Sequence, residues 1–154
     1  MQKVSVFKKA LRLFFLLVLV NVVGYIASGY MTPAVQMWYD GLEKSALNPP
    51  DIVFPVVWSI LFLCLAVSAF LVWGKASPRW FVVQLALNMA WSFAFFFLKN
   101  PAVALGITVV LLFAVYKTFR AFYPVCRWSG WLQVPVFLWC LFALYLNAVV
   151  VVLN

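Results

Sequence analysis

The sequence predicts an all-α integral membrane protein, a single domain built as a bundle of five transmembrane helices. Three observations predict it. Of the 154 residues, 68% are hydrophobic, more apolar surface than a water-soluble chain of this length can hide. Only 9% are charged, against about 25% in a soluble domain. The apolar residues fall in long runs, and at about 20 residues per crossing there is room for about five spans with short loops and for no separate soluble domain.

The first span is predicted over residues 13–29, after a basic start of Lys3, Lys8, Lys9 and Arg12. A basic lead, an apolar run and the small residues Ala27, Ser28 and Gly29 also suit a secretory signal, but Asn21 interrupts the run, which is long for such a segment. Residues 30–51 are not apolar enough to cross. They hold Pro33, the pair Trp38–Tyr39, all three acids of the chain (Asp40, Glu43 and Asp51), Pro49 and Pro50. A connection of this length is usually functional or disordered, and its aromatic pair predicts a segment packed onto the helices. The second span is predicted over 52–73, with Asn48 or Asp51 as its cap and Pro55 in or near the first turn, where proline costs little. The third covers 80–98. Asn100–Pro101 reads as an N-cap followed by proline at the first helical position, opening a fourth span over 101–122 whose basic end stops at Pro124. The fifth, 130–153, is interrupted by Pro135, which frees the carbonyl of Trp131 and predicts a kink.

The net charge of +8 would suggest nucleic acid in a soluble protein. Its placement gives a simpler reason and no nucleic-acid partner is expected. The start and the loops after spans two and four hold nine basic residues: Lys3, Lys8, Lys9, Arg12, Lys75, Arg79, Lys117, Arg120 and Arg127. The other two loops hold only Lys44 and Lys99. Basic residues stay on the cytoplasmic side of a bilayer, so the N-terminus is expected inside and the C-terminus and the acidic aromatic loop outside.

Several chemistries are excluded. The chain has no histidine, which removes His-based catalysis, His metal sites and a His ligand to haem iron. No Asp or Glu lies inside a span, which argues against a proton antiporter or pump. No phosphate loop occurs. Cys64, Cys126 and Cys140 lack metal-ligand spacing and read as free thiols, so neither a metal nor a required cofactor is expected.

What remains is aromatic and amide chemistry, with 8 Trp, 6 Tyr and 16 Phe. Trp38, Trp73, Trp80, Trp128 and Trp131 lie near span ends and fit an interfacial belt. Trp58, Trp91 and Trp139 lie inside spans, where each indole N–H prefers a partner. Two readings stay open for these three: packing, or an aromatic-walled pocket. Asn88, Trp91, Ser92 and Phe95 share one face of span three, while Pro135, Trp139, Ala143 and Asn147 step by four along span five. The amides of Asn88 and Asn147 are expected to bond to each other, to backbone, or to a ligand's polar edge. Ala86, Ala90 and Ala94, spaced by four, form either a homodimer seam through helix three or a close contact inside the monomer.

Four segments together resemble the tryptophan-rich sensory protein family, relatives of the mitochondrial translocator protein (peripheral-type benzodiazepine receptor). Trp38-Tyr39-Asp40-Gly41-Leu42-Glu43-Lys44 is similar to the family's WYxxLxKP segment. Asn48-Pro49-Pro50 with Phe54-Pro55 and Trp58 is similar to its PP…FPxxW stretch. Leu87-Asn88 with Trp91 and Phe95-Phe96 follows LNxxWxxxFF, and Pro135 to Trp139 with Leu146-Asn147 follows PYxxW…LN. The segments fall in order over residues 38–154. The chain departs from the pattern at Ser45, Ala46 and Leu47, where the family often has Pro-x-Trp, and at Val136, where it has Tyr.

The resemblance implies five transmembrane helices and a pocket among them, closed by the loop between helices one and two. It also implies binding of porphyrins and similar hydrophobic ligands, in some members sterols, and frequent dimers through helix three. On the matching positions, Trp58, Asn88, Trp91, Phe95, Trp139, Ala143 and Asn147 would face the ligand. Trp38, Tyr39, Asp40 and Pro49 would belong to the lid. Some bacterial relatives are linked to light-dependent porphyrin breakdown, and Trp58 and Trp139 match the tryptophans credited there. Without histidine, a metal-free porphyrin is expected to bind with no axial ligand. The expected setting is a bacterial cytoplasmic (inner) membrane. The favoured reading is a receptor or carrier for porphyrin-like ligands. A porphyrin-degrading enzyme and a structural subunit whose aromatics only pack are the rivals.

Overall fold

The computed structural model describes residues 2–28 and 32–154, with side chains for 8–26 and 32–154. It contains helices α1 (Gln2–Ser28), α2 (Pro33–Asp40), α3 (Val53–Leu71), α4 (Arg79–Ser92), α5 (Pro101–Phe122), α6 (Arg127–Trp131) and α7 (Gln133–Leu153), and a π-helical turn, Phe93–Phe97, continues α4. Five stretches are long and apolar enough to cross a membrane: Lys8–Ile26, Val53–Leu71, Arg79–Phe97, Pro101–Phe122 and Arg127–Leu153. The expected five-helix architecture is therefore present. α5 packs against α4 and α7, and α1 against α3 and α4. Leu16, Val20 and Val23, on one face of α1, are buried in that contact. A Cβ on Gly24 would stand 2.5 Å from the Phe62 ring, so the close approach of α1 to α3 needs glycine there.

Several boundaries differ from the sequence-based expectation. α1 starts well before Leu13, because the basic lead contains no helix breaker and continues the same helix. The expected junction of span and lid at Gly29–Tyr30, and the side chain of Lys3, lie outside the described residues. The lid is partly helical: Thr32 caps α2 by accepting from the Val35 amide at 3.3 Å, with Pro33 at the first position. Neither Asn48 nor Asp51 caps α3 through its side chain. A turn closed by Val53 N–H to the Pro50 carbonyl, 2.9 Å, leads into the helix instead. Asn100 does cap α5, accepting from the Val103 amide at 3.1 Å. The fifth span is two helices. A continuous helix would drive the Pro135 ring into the Trp131 carbonyl, so the chain breaks at Leu132 and Pro135 falls in the first turn of α7.

The π turn was not legible in the sequence. The Leu98 amide reaches back five residues to the Phe93 carbonyl at 3.0 Å, and Lys99 takes a left-handed φ of 49° to close the end. The wide turn buries Ala94 beside Ala104 while Phe95 and Phe96 pack with Tyr39.

One end of the bundle gathers α2, the π turn and the end of α7. The other gathers the basic residues and a buried polar knot. There Ser129 and Ser68 bond reciprocally, each hydroxyl donating to the other's carbonyl at 2.7 and 2.8 Å. Gln133 Nε2 donates to Ser68 Oγ at 2.7 Å, and Gln84 Nε2 to Gln133 Oε1 at 3.2 Å. All four side chains are fully buried, and the knot joins α3, α4, α6 and α7. Gln84 Oε1 has no partner among the described residues.

At this end Arg12 stands over the Trp73 ring and Arg79 and Lys117 over Trp80, while Trp128 and Trp131 are exposed, as interfacial side chains should be. Trp38 departs from the belt reading. It is half-buried against Phe95, with ring centroids 5.8 Å apart.

Candidate functional site

A cavity of about 620 Å³ lies among α1, α3, α4, α5 and α7, under the segment 36–51. This is the size of a small-molecule site. Its lining is mainly aromatic and aliphatic. Trp58 comes from α3, Trp91 from α4 and Trp139 from α7, so three separate helices each carry one inner tryptophan to one space.

Eight of the eleven residues expected at the ligand or lid positions line this cavity: Tyr39, Trp58, Asn88, Trp91, Phe95, Trp139, Ala143 and Asn147. Trp38, Asp40 and Pro49 do not line it. Trp38 backs Phe95 from the lid side, and Asp40 is exposed at the end of α2, accepting from Gln36 Nε2 at 2.9 Å. The alanine stripe divides. Ala94, in the π turn, is buried inside the monomer, whereas in α4 Ala90 is half-buried and Ala86 is exposed. Val136 is fully buried in the core and does not line the cavity.

The amides do not pair with each other. Asn147 accepts the Trp91 indole N–H at 3.2 Å and donates to the Pro101 carbonyl at 2.9 Å. Asn88 Nδ2 donates to the Gln84 carbonyl one turn back, 3.0 Å, and its Oδ1 accepts nothing among the described residues. Trp91 also stacks on Phe95, centroids 5.1 Å apart. Trp139 meets Phe54 edge-on at 6.0 Å and Trp58 tilts on Phe62 at 5.4 Å. Unlike Trp91, neither Trp58 nor Trp139 spends its indole N–H on a described residue. The inner wall of the cavity thus offers π faces, the indole donors of Trp58 and Trp139 and the amide oxygen of Asn88.

The segment 32–51 is tied to the bundle at Tyr39, Glu43 and Ser45. Tyr39 packs on Phe95 and Phe96, with Lys44 Nζ 4.4 Å from its ring. Burial pushes the Tyr39 phenol above its ordinary value; Asn48 pulls the other way, and the carboxylates of Asp51 and Asp40 add to the rise. Tyr39 therefore stays protonated at neutral pH. Farther along, the Asn154 amide clasps the backbone of Glu43, accepting from its N–H and donating to its carbonyl, both at 3.0 Å. Ser45 Oγ and the Tyr145 hydroxyl share a hydrogen bond of 2.8 Å, so one of the family departures supplies a tie to α7.

The sequence reading missed the polar rim. Gln36, Asn48 and Asp51 line the cavity from the lid segment, and Asn21 and Ser59 from α1 and α3. Polar side chains on otherwise apolar helices were the available signal for Asn21 and Ser59. No general acid–base pair or nucleophile with a base appears among the described lining residues.

The TspO/MBR family profile matches residues 15–153. The chain is 34% identical over 140 residues to the tryptophan-rich protein TspO of Chlorobaculum tepidum, covering 86% of this chain and 89% of that protein. It is 36% identical over 114 residues to the tryptophan-rich sensory protein of Cereibacter sphaeroides, covering 71% and 72%. The human translocator protein is 28% identical over 132 residues, covering 80% and 78%.

Proposed function

The chain belongs to the TspO/MBR family of membrane proteins, and from that premise we propose that it is a membrane receptor or carrier for porphyrins and similar flat hydrophobic ligands, sterols among them. The observation that carries this reading is the convergence of Trp58, Trp91 and Trp139 on one cavity. Burying roughly 400 Å² of macrocycle at about 25 cal/mol per Å² is worth about 10 kcal/mol before ordering costs. Stacking on indoles adds to this and selects for planarity. The excess of Lys and Arg at the end opposite the lid supports a cytoplasmic N-terminus in a bacterial inner membrane. Ala86 and Ala90 on the outer side of α4 support a second copy at helix three.

A second reading, light- and oxygen-dependent porphyrin degradation, draws on the two unspent indole N–H groups, since an indole can supply an electron or hydrogen to an excited macrocycle.

The test is protoporphyrin binding to the purified protein in neutral detergent, in the dark, by quenching of tryptophan fluorescence. Saturable binding near micromolar, about −8 kcal/mol, is expected for wild type. A monodisperse, helical Asn88→Leu/Trp139→Leu variant should bind at least tenfold more weakly. Equal or unsaturable quenching in both proteins would mean partition into the micelle and would overturn the proposal.

A further inference from the structure

The charge at the cavity mouth is one-sided. Among the described lining residues Asp51 is the one of formal charge, and no Lys or Arg is among them. Its carboxylate is exposed, and the side-chain hydrogen bond it receives comes from the neutral amide of Gln36, at 3.4 Å. Gln36 bonds Asp40, which does not line the cavity, with the same nitrogen at 2.9 Å, so one neutral amide serves both carboxylates without neutralising either. The lid-end cations stand elsewhere. Lys44 lies over the Tyr39 ring and bonds the Asp40 carbonyl, and Lys99 lies 5.9 Å from the centre of the Trp38 ring. Neither lines the cavity. The rest of the polar rim, Asn48 and Tyr39, is neutral.

We propose that Asp51 sets the charge preference of this cavity, selecting ligands whose lid-facing end is neutral or positively charged and carries hydrogen-bond donors, and disfavouring ligands that present a carboxylate there. The inference rests on the receptor reading and narrows its ligand class. An apolar, planar body lies against Trp58 and Trp139, and an amine, amide or ester end lies under residues 36–51. A carboxylate at that end meets a like charge with no cation among the lining residues, the Lys44 ammonium lying over the Tyr39 ring. An ammonium gains the same interaction with opposite sign. Because Asp51 is exposed, the effect is screened by salt.

The experiment compares three porphyrins of one core: protoporphyrin diacid, its dimethyl ester, and a bis-amide bearing two tertiary amines. Each is titrated in neutral detergent at low ionic strength into wild type, Asp51→Asn and Glu43→Gln. The asparagine keeps an oxygen for Gln36, so the fold is undisturbed. Glu43→Gln removes the same charge from the lid away from the cavity.

Wild type should bind the cationic amide at least tenfold more tightly than the diacid, with the gap closing several-fold in 0.5 M salt. Asp51→Asn should weaken the amide and strengthen the diacid, and Glu43→Gln should change neither. Comparison across variants cancels differences in micelle partition. Equal shifts in both variants would mean a general charge effect and would overturn the role of Asp51. So would a diacid that binds wild type as tightly as the amide. Failure of all three porphyrins to saturate any variant would instead remove the receptor reading, and this inference with it.

Discussion

The indole N–H of Trp91 donates to the amide oxygen of Asn147 at 3.2 Å, and the nitrogen of the same amide donates to the Pro101 carbonyl at 2.9 Å. One asparagine thus joins α4, α7 and the start of α5 beside the cavity. Removing it leaves a buried indole N–H and a helix-start carbonyl without partners. Asn147→Leu should cost about 1–2 kcal/mol of stability in detergent. Trp91→Phe keeps the stack on Phe95 and should cost less. A double-mutant cycle by reversible unfolding should show that the two losses do not add. Additive losses would mean the hydrogen bond contributes nothing.

How far the sequence reached can be judged at these residues. The five spans were legible because length and apolarity alone define them. The faces carrying Asn88, Trp91 and Phe95, and Trp139, Ala143 and Asn147, followed from helical spacing, and all six line the cavity. The partners did not follow. Spacing orients a side chain on its own helix, whereas the Trp91–Asn147–Pro101 chain depends on how three helices meet. The π turn was hidden because Phe-Ala-Phe-Phe-Phe suits an ordinary helix equally well, and that turn holds the one buried alanine of the stripe, Ala94. The lid looked like a loop because α2 has only 8 residues, too short for a clear period.

Tyr145 and Asn154 hold the lid to α7 at Ser45 and Glu43. These bonds are near the surface, so each is worth about 1 kcal/mol. Tyr145→Phe and Asn154→Ala should each speed amide exchange over residues 43–48 about fivefold, leaving α3 and α5 unchanged. Exchange that rises throughout the bundle would show a global loss of stability and would sink the latch.

Tyr39 gives a signed pH dependence. Its phenol is raised by burial above its ordinary value of about 10. In the unfolded chain the phenol ionises at that ordinary value, while the folded protein still holds its proton. The unfolded state then binds fewer protons, so stability falls as pH rises from about 10 toward the folded value. Below that window the contribution is fully present. Unfolding midpoints across the alkaline range should decline more steeply for wild type than for Tyr39→Phe. Parallel curves would contradict the buried, neutral phenol.

Trp139 separates binding from photochemistry. Phenylalanine keeps a π face against Phe54 and Phe142 but is a far poorer electron donor than indole. If the cavity degrades porphyrin, Trp139→Phe should hold protoporphyrin within about threefold of wild type, while light-dependent bleaching of the bound pigment in air falls to the level of free porphyrin. Undiminished bleaching in the variant would remove Trp139 from any such reaction.

The buried knot at the far end predicts an asymmetry between two glutamines of equal size. Gln133 Nε2 donates to Ser68 Oγ at 2.7 Å, and its Oε1 accepts from Gln84 Nε2 at 3.2 Å. Gln84 already has an unpartnered Oε1. Leucine at 133 therefore strands the Gln84 nitrogen beside that oxygen, leaving a whole amide unpaired in the apolar core. Leucine at 84 instead removes one orphan oxygen and creates another on Gln133. Gln133→Leu should cost about 1–3 kcal/mol and Gln84→Leu less than about 1, since the penalty follows the polar atoms left unpaired rather than the bonds deleted. Unfolding in mixed micelles titrated with a denaturing detergent would measure both. Equal losses, or a larger loss at Gln84, would show that a buried water or a rotated amide already satisfies its oxygen.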